Sequence, residues 1–374
     1  MSRRAAFVYH DRLSRHVLRE GHVMVPTRLR YTYELLESYG AFTMPNAVLV
    51  EPRQATEEEL LTFHTREYVD AVRDLSEGEE RRDAAAYGFS DHGDNPVYPG
   101  MYEAALWSTG ASLTGAEMLA NGRVDVAFNC SGGLHHAMPG RASGFCIFND
   151  PVIAINALLK RGMRVAYVDI DAHHGDGVQA AFYDSDRVLT VSLHESGSYL
   201  FPGTGFVDEM GEGSGRGFSV NVPLFPYTDY ETYLWTLRAV VVPLVQAFQP
   251  DVLATQLGMD PYFRDPITHL GLTVQGHARL VEELGRLCPR WLAFGGGGYD
   301  LSAVARGWTL DFGVMLETEW PDEIPETYRE RYGLIALRDA QGPSVDAAIL
   351  EQGRRFAEST VEEIERLIFP LHGM

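Results

Sequence analysis

Val165-Ala166-Tyr167-Val168-Asp169-Ile170-Asp171-Ala172-His173-His174-Gly175-Asp176-Gly177 is the stretch on which the fold turns. Its short apolar run reads as a buried strand. That run leads without a break into Asp-x-Asp-x-His. Side chains at i, i+2 and i+4 of an extended chain share a face. The pattern therefore puts Asp169, Asp171 and His173 on one side at the strand's C-terminal end, where open α/β sheets hold their ligands. As a merely charged turn, three ionisable groups beside an apolar strand would repel and desolvate one another. A cation relieves both costs, and Asp and His are suitable ligands for zinc and other divalent ions.

Three more strand ends carry chemistry. Val124–Asn129 leads through Ser131-Gly132-Gly133 to His135-His136, a pair suited to metal ligation or acid–base work. Asp251–Leu257 reaches Gly258-Met259-Asp260. Asp260 can complete a three-ligand set with Asp171 and His173, which leaves an open position for water or substrate. Trp291–Phe294 runs into Gly295-Gly296-Gly297-Gly298-Tyr299-Asp300. That glycine run fits neither a P-loop nor a dinucleotide fingerprint. It reads as a close-packed turn presenting Tyr299, whose hydroxyl can donate to a developing oxyanion.

Working outward, strands are expected at 4–9, 46–50, 124–129, 165–170, 188–193, 217–222, 251–257 and 291–295. Helices are expected at 26–39, 56–75, 99–120, 150–162, 229–248, 274–287, 301–317 and 346–368. Pro26 suits a first helical turn, and Thr56-Glu57-Glu58-Glu59 is a capping box. This alternation implies a mostly parallel eight-stranded sheet with helices on both faces, an α/β fold. No composition break divides it, so residues 1–374 read as one domain. The Gly/Asp/Ser-rich segments 76–98 and 196–216 read as functional rims, and 319–343 as an irregular connection.

Composition narrows the partners. Of 374 residues, 31 are Lys or Arg and 52 are Asp or Glu, a formal charge of −21. Lys160 is the only lysine. Nucleic acid is excluded as the main partner, because phosphate binding needs a basic footprint. Acidic surfaces favour cationic ligands. The three cysteines, Cys130, Cys146 and Cys288, form neither a disulfide framework nor a zinc knuckle. A reducing cytoplasm is the expected setting, and any metal must be held by His and carboxylates. No apolar run approaches a membrane span, and the first residues lack a secretory h-region.

Taken with Phe63-His64-Thr65, Ser143-Gly144-Phe145-Cys146-Ile147-Phe148-Asn149-Asp150, Thr190–His194 and Phe201-Pro202-Gly203-Thr204-Gly205, these blocks resemble the zinc-dependent histone deacetylase family. The likeness runs from Gly21-His22 to about Leu316. It is greatest to class I enzymes and to bacterial acetoin-utilisation-type deacetylases. The resemblance implies the arginase/deacetylase fold and one Zn2+ per chain on Asp171, His173 and Asp260. His135 and His136 become the active-site pair, oriented by Asp169 and Asp176. Tyr299 becomes the oxyanion donor. Gly144, Phe145 and Phe201 would wall a tunnel for the acylated chain, with Gly297 and Ile267 beside it and Asp94 as a rim carboxylate. The family also carries K+ or Na+. An inner site would use Asp169, Asp171, His173, Ser192 and Leu193, and a second Phe182, Ser185, Val188 and Phe218.

The implied reaction is hydrolysis of acyl-lysine in a protein or peptide. An arginase-like dimetal centre needs another aspartate after Asp260, where this chain has Pro261-Tyr262. An acetylpolyamine amidohydrolase, acting on a small acylated amine, would place an acid near the tunnel mouth. Here Arg264-Asp265-Pro266-Ile267 puts Ile267 at the compared position, although Asp265 or the rim acids could serve instead. A non-catalytic acyl-lysine binding module is disfavoured because every expected catalytic residue is present.

Overall fold

The eight expected strands form β1 (Ala5–Val8), β2 (Ala47–Val50), β3 (Val126–Asn129), β4 (Val165–Asp169), β5 (Val188–Glu195), β6 (Ser219–Leu224), β7 (Val252–Gln256) and β8 (Trp291–Phe294). The structure, a computed structural model, describes residues 3–15, 18–78 and 83–374, so four residues of the expected 76–98 rim lie outside it. The strands make one sheet in the order β2-β1-β3-β8-β7-β4-β5-β6. Every pairing is parallel, so the sheet is fully and not just mostly parallel.

Eleven helices are seen among the described residues: α1 (Thr27–Ser38), α2 (Glu57–Leu60), α3 (Arg66–Ser76), α4 (Met101–Ala120), α5 (Asp150–Lys160), α6 (Asp176–Phe182), α7 (Tyr230–Phe248), α8 (Val274–Leu284), α9 (Leu301–Met315), α10 (Glu326–Tyr332) and α11 (Ala347–Leu367). Strand alternation sorts them to two faces. Val165 and Tyr167 of β4 pack with Ile155 and Leu158 of α5 and Phe182 of α6. Ala166 and Val168 point the other way, into the core with Tyr233 and Val240 of α7 and Trp308 of α9. Among the described residues no helix is long and apolar enough to cross a membrane.

Three departures from expectation have local causes. The helix expected over 56–75 is two helices. The Thr56–Glu59 capping box forms, but the chain leaves helical geometry after Leu60 and Thr65 caps α3 anew. The break turns His64 inward, where its Nε2 accepts the Asn149 N–H at 3.0 Å and its Nδ1 donates to the Met138 carbonyl at 3.1 Å. Residues 176–182, where no element was expected, form α6, and 326–332 of the expected irregular connection form α10. Both are seven-residue helices, too short to show a periodic face in the sequence.

His64 carries a pH prediction. Burial pushes its pKa down to about 4, against the hydrogen bonds that favour the charged form. The fold needs the neutral ring, so this contribution is present above about pH 6.5 and is lost as pH falls from there towards 4. His64→Gln keeps an acceptor and a donor but does not titrate. The stability advantage of wild type over this variant should shrink by about 2 kcal/mol between pH 7 and pH 5. Denaturant melts at both pH values test this, and an unchanged difference would refute it.

Candidate active site

Four neighbouring strands, β3, β8, β7 and β4, end at the same edge of the sheet, and each delivers one part of the site. From β3 come His135 and His136, from β8 Tyr299, from β7 Asp260, and from β4 Asp169 through Asp176. Parallel pairing alone makes their C-terminal ends coincide.

Beyond Asp169 the strand alternation stops, and loop hydrogen bonds aim the remaining groups. Asp169 Oδ1 accepts the Asp171 N–H at 3.1 Å, and Asp171 Oδ1 accepts the His173 N–H at 3.0 Å. Asp260 Oδ1 accepts the Ala172 N–H at 2.8 Å, which locks the β7 loop onto the β4 loop. The buried Asp171, His173 and Asp260 consequently bring one ligand atom each within 4.8 Å of one another. His173 Nδ1 lies 3.0 Å from both Asp171 Oδ1 and Asp260 Oδ2.

The electrostatics of this trio suit a divalent cation. Burial and the charge of Asp171 push Asp260 up to about 8. Burial alone would raise Asp171 too, but the charge on His135 and the contacts with His173 hold it well below the usual carboxylate range. Burial works against charge on His173, yet the two carboxylates lift it to about 10. Two carboxylates held together out of water draw a positive charge between them, which a proton on His173 or a bound cation can supply. The two carboxylates and the imidazole are also the donor types and number of a catalytic zinc site.

The paired histidines are driven apart in basicity. His135 Nδ1 donates to Asp169 Oδ2 at 2.7 Å, and His136 Nδ1 to Asp176 Oδ1 at 2.7 Å. Their Nε2 atoms lie 3.0 Å apart. For His135, burial is outweighed by Asp169, Asp171 and Asp176, and the pKa rises to about 9. For His136, burial and the charge on His135 prevail over Asp176, and it falls to about 4. One ring is held charged and its neighbour neutral.

Tyr299 is half-buried, with its ring edge-on to Phe145 at 5.6 Å. Burial, then the charges of Asp260 and Asp171, raise its hydroxyl well above the usual phenol range, so it remains a donor. Phe201 is exposed, with its ring 5.1 Å from His136. Gly144 has φ +50°, and a Cβ there would overlap the His136 ring. A Cβ on Gly297 would overlap Asp260 Oδ2, and its N–H donates to Asp171 Oδ2 at 2.8 Å. Asp94 is exposed, and its carbonyl accepts from His22 Nε2 at 3.1 Å. The His22 ring in turn meets Phe145 at 5.0 Å, so Asp94 is joined to the same wall.

The residues expected around monovalent cations fall in two places. Asp169 and Ser192 are register partners on β4 and β5, and the carbonyl of Leu193 accepts from Tyr233 Oη at 3.1 Å. Phe182 and Ser185 form the turn before Val188, with the Phe182 carbonyl accepting the Ser185 N–H at 3.0 Å. The Phe218 carbonyl accepts the Thr190 N–H at 2.8 Å. A carbonyl oxygen has two lone pairs, so these bonds leave room for a cation.

Supporting residues escaped the sequence reading. Gln256 donates to Asp171 Oδ2 at 2.6 Å and accepts the Gly258 N–H at 2.8 Å. A glutamine closing an apolar strand was its signal. Asn149 Nδ2 donates to the carbonyls of His135 and Ala137, at 3.1 and 3.0 Å. Asp150 accepts the N–H groups of Gly133 and Leu134, at 3.1 and 2.9 Å. Together they hold the histidine turn from both sides. Arg28 of α1, far away in sequence, donates to the carbonyls of Gly298 and Gly296, at 2.9 and 2.7 Å. Asp265, offered above as a possible amine reader, is only 8 % exposed and faces inward.

An all-parallel sheet with histidine–carboxylate pairs beside a buried Asp-His-Asp cluster defines a hydrolase of the arginase/deacetylase fold. The chain belongs to the histone deacetylase family: the family's histone deacetylase domain matches residues 22–315. It is 40 % identical over 335 residues to the acetoin utilization protein AcuC of Bacillus subtilis, covering 86 % of this chain and 85 % of that one. It is 39 % identical over 333 residues to human histone deacetylase 1, covering 88 % of this chain and 68 % of that one. A crystal structure of an HDAC homologue from Aquifex aeolicus superposes with a TM-score of 0.85 at 29 % identity, covering 96 % of this chain and all of the other. An HDAC homologue complexed with SAHA matches with the same TM-score at 30 % identity and the same coverage. Membership implies deacetylase chemistry and a bound metal.

Proposed function

We propose that residues 1–374 form a single cytoplasmic zinc-dependent deacetylase domain that removes acetyl groups from lysine side chains of proteins or peptides. The observation that carries this reading is the buried Asp171–His173–Asp260 cluster beside two histidines, each hydrogen-bonded through Nδ1 to its own aspartate. Those three side chains would hold the zinc, which when bound supplies polarisation of the acyl carbonyl and acidification of a water. His136, the neutral ring, takes the water's proton at Nε2 and later gives a proton to the departing lysine amine. Its Nδ1–H stays on Asp176, which fixes ring and tautomer. His135, charged against Asp169, supplies electrostatic stabilisation. The Tyr299 hydroxyl donates to the oxygen on which charge develops.

Phe145 and Phe201 would flank the alkyl chain of the substrate, with Gly144, Gly297 and Ile267 alongside. Asp94 would grip the substrate backbone at the rim. Potassium or sodium would occupy the two carbonyl-lined places as a structural ion. The test is a turnover panel on enzyme of measured zinc and iron content. It compares acetyllysine peptide, longer acyl-lysine peptides, acetylspermidine and acetylputrescine. Fastest turnover of acetyllysine peptide is expected, and only by zinc-loaded protein. A clear preference for the acetylated polyamines, or binding without hydrolysis, would replace the proposal.

A further inference from the structure

We propose that Asp265 is a positioning residue for Tyr299, setting the reach of its hydroxyl and the seat of Ile267 with one carboxylate. This rests on the role proposed for Tyr299. Asp265 Oδ2 accepts the Tyr299 N–H at 2.9 Å, and its Oδ1 accepts the Ile267 N–H at 3.1 Å. Its own N–H donates to the Tyr262 carbonyl at 2.9 Å, which closes the turn that carries it. On the far side of the same peptide unit, Arg28 donates to the Gly298 carbonyl at 2.9 Å. The Gly298–Tyr299 peptide is thus gripped at its oxygen by a guanidinium and at its nitrogen by a carboxyl oxygen.

That grip matters because of what surrounds it. Four glycines precede Tyr299, and no side chain among them can brace the backbone by packing. Just after it, the Asp300 side chain caps α9 by accepting the Ala303 N–H at 2.8 Å. Asp265 and Arg28 therefore brace the last peptide of the glycine run, where it enters a rigid helix. Misplacing a reacting group by about 1 Å can cost on the order of 10²-fold in rate. With both oxygens bonded to main-chain amides in a buried turn, Asp265 does not present a carboxylate to an incoming amine.

The experiment is a double-mutant cycle with acetyllysine peptide and acetylputrescine as substrates. Zinc content and thermal melting are measured for every variant. D265A should lose about tenfold or more in kcat on the peptide. Its KM should stay within about threefold of wild type and its zinc content unchanged. In the Y299F background the same substitution should change residual turnover less than about twofold, because the hydroxyl it positions is gone. D265N keeps one acceptor and should fall between D265A and wild type, and it carries the test if D265A does not fold. Wild-type kcat in both Asp265 variants would overturn the proposal. So would an equal loss in both Tyr299 backgrounds, or a rise in KM confined to acetylputrescine. Full turnover by Y299F alone would instead sink the role of Tyr299 itself.

Discussion

Tyr299→Phe is expected to fold, bind zinc and lose about 10²–10³ in turnover on acetyllysine peptide. The change removes one oxygen. The ring contact with Phe145 at 5.6 Å and the backbone bond to Asp265 at 2.9 Å do not depend on it. None of the cluster's ligand atoms belongs to Tyr299, so zinc stoichiometry should match wild type. What is lost is a hydroxyl kept protonated by burial and by the charges of Asp260 and Asp171. Such a donor acts mainly where charge develops, so kcat should fall far more than KM rises. Steady-state rates with metal analysis decide the matter, and wild-type turnover would sink the assignment.

His136→Ala should cost about 10²–10⁴ in kcat, the usual worth of a positioned acid–base group. The choice of His136 over His135 rests on their environments. Asp169 and its neighbouring charges raise His135 to about 9, whereas burial and the charge on His135 bring His136 down to about 4. A ring that stays charged cannot take the water's proton. His135→Ala should therefore be the milder change, felt through lost charge stabilisation. A reversed order of severity would exchange the two roles.

Most of the fold was legible because the strand runs are apolar and bounded by turn residues. The eight strands of the sheet come from those runs. The charged residues were legible for a related reason. Asp171, His173 and Asp260 stand at the ends of apolar strands, where an unpaired charge needs an explanation. Apart from Gln256, which donates to the Asp171 carboxylate, the supporting groups were not legible, since the partners that matter here are backbone atoms. Asn149 and Asp150 act on carbonyls and N–H groups of residues 133–137. Asp265 and Arg28 act on the peptide before Tyr299. A main-chain partner leaves no mark in the identity of the residue that carries it. His64 was hidden similarly, because the capping box before it and the apolar face after it both spell one continuous helix.

The order β3-β8-β7-β4 has a consequence for assembly. Neighbours at the centre of the sheet are distant in the chain: β3 ends at Asn129, while β8, its partner, begins at Trp291. The proposed ligand set likewise draws on the loops after β4 and β7, which are joined by the Ala172–Asp260 bond. Contacts between such remote segments close slowly, since long loops must be ordered first. A cation that needs both loops would have no site on a fragment that ends before Asp260. Metal uptake would then report that β7 has docked beside β4.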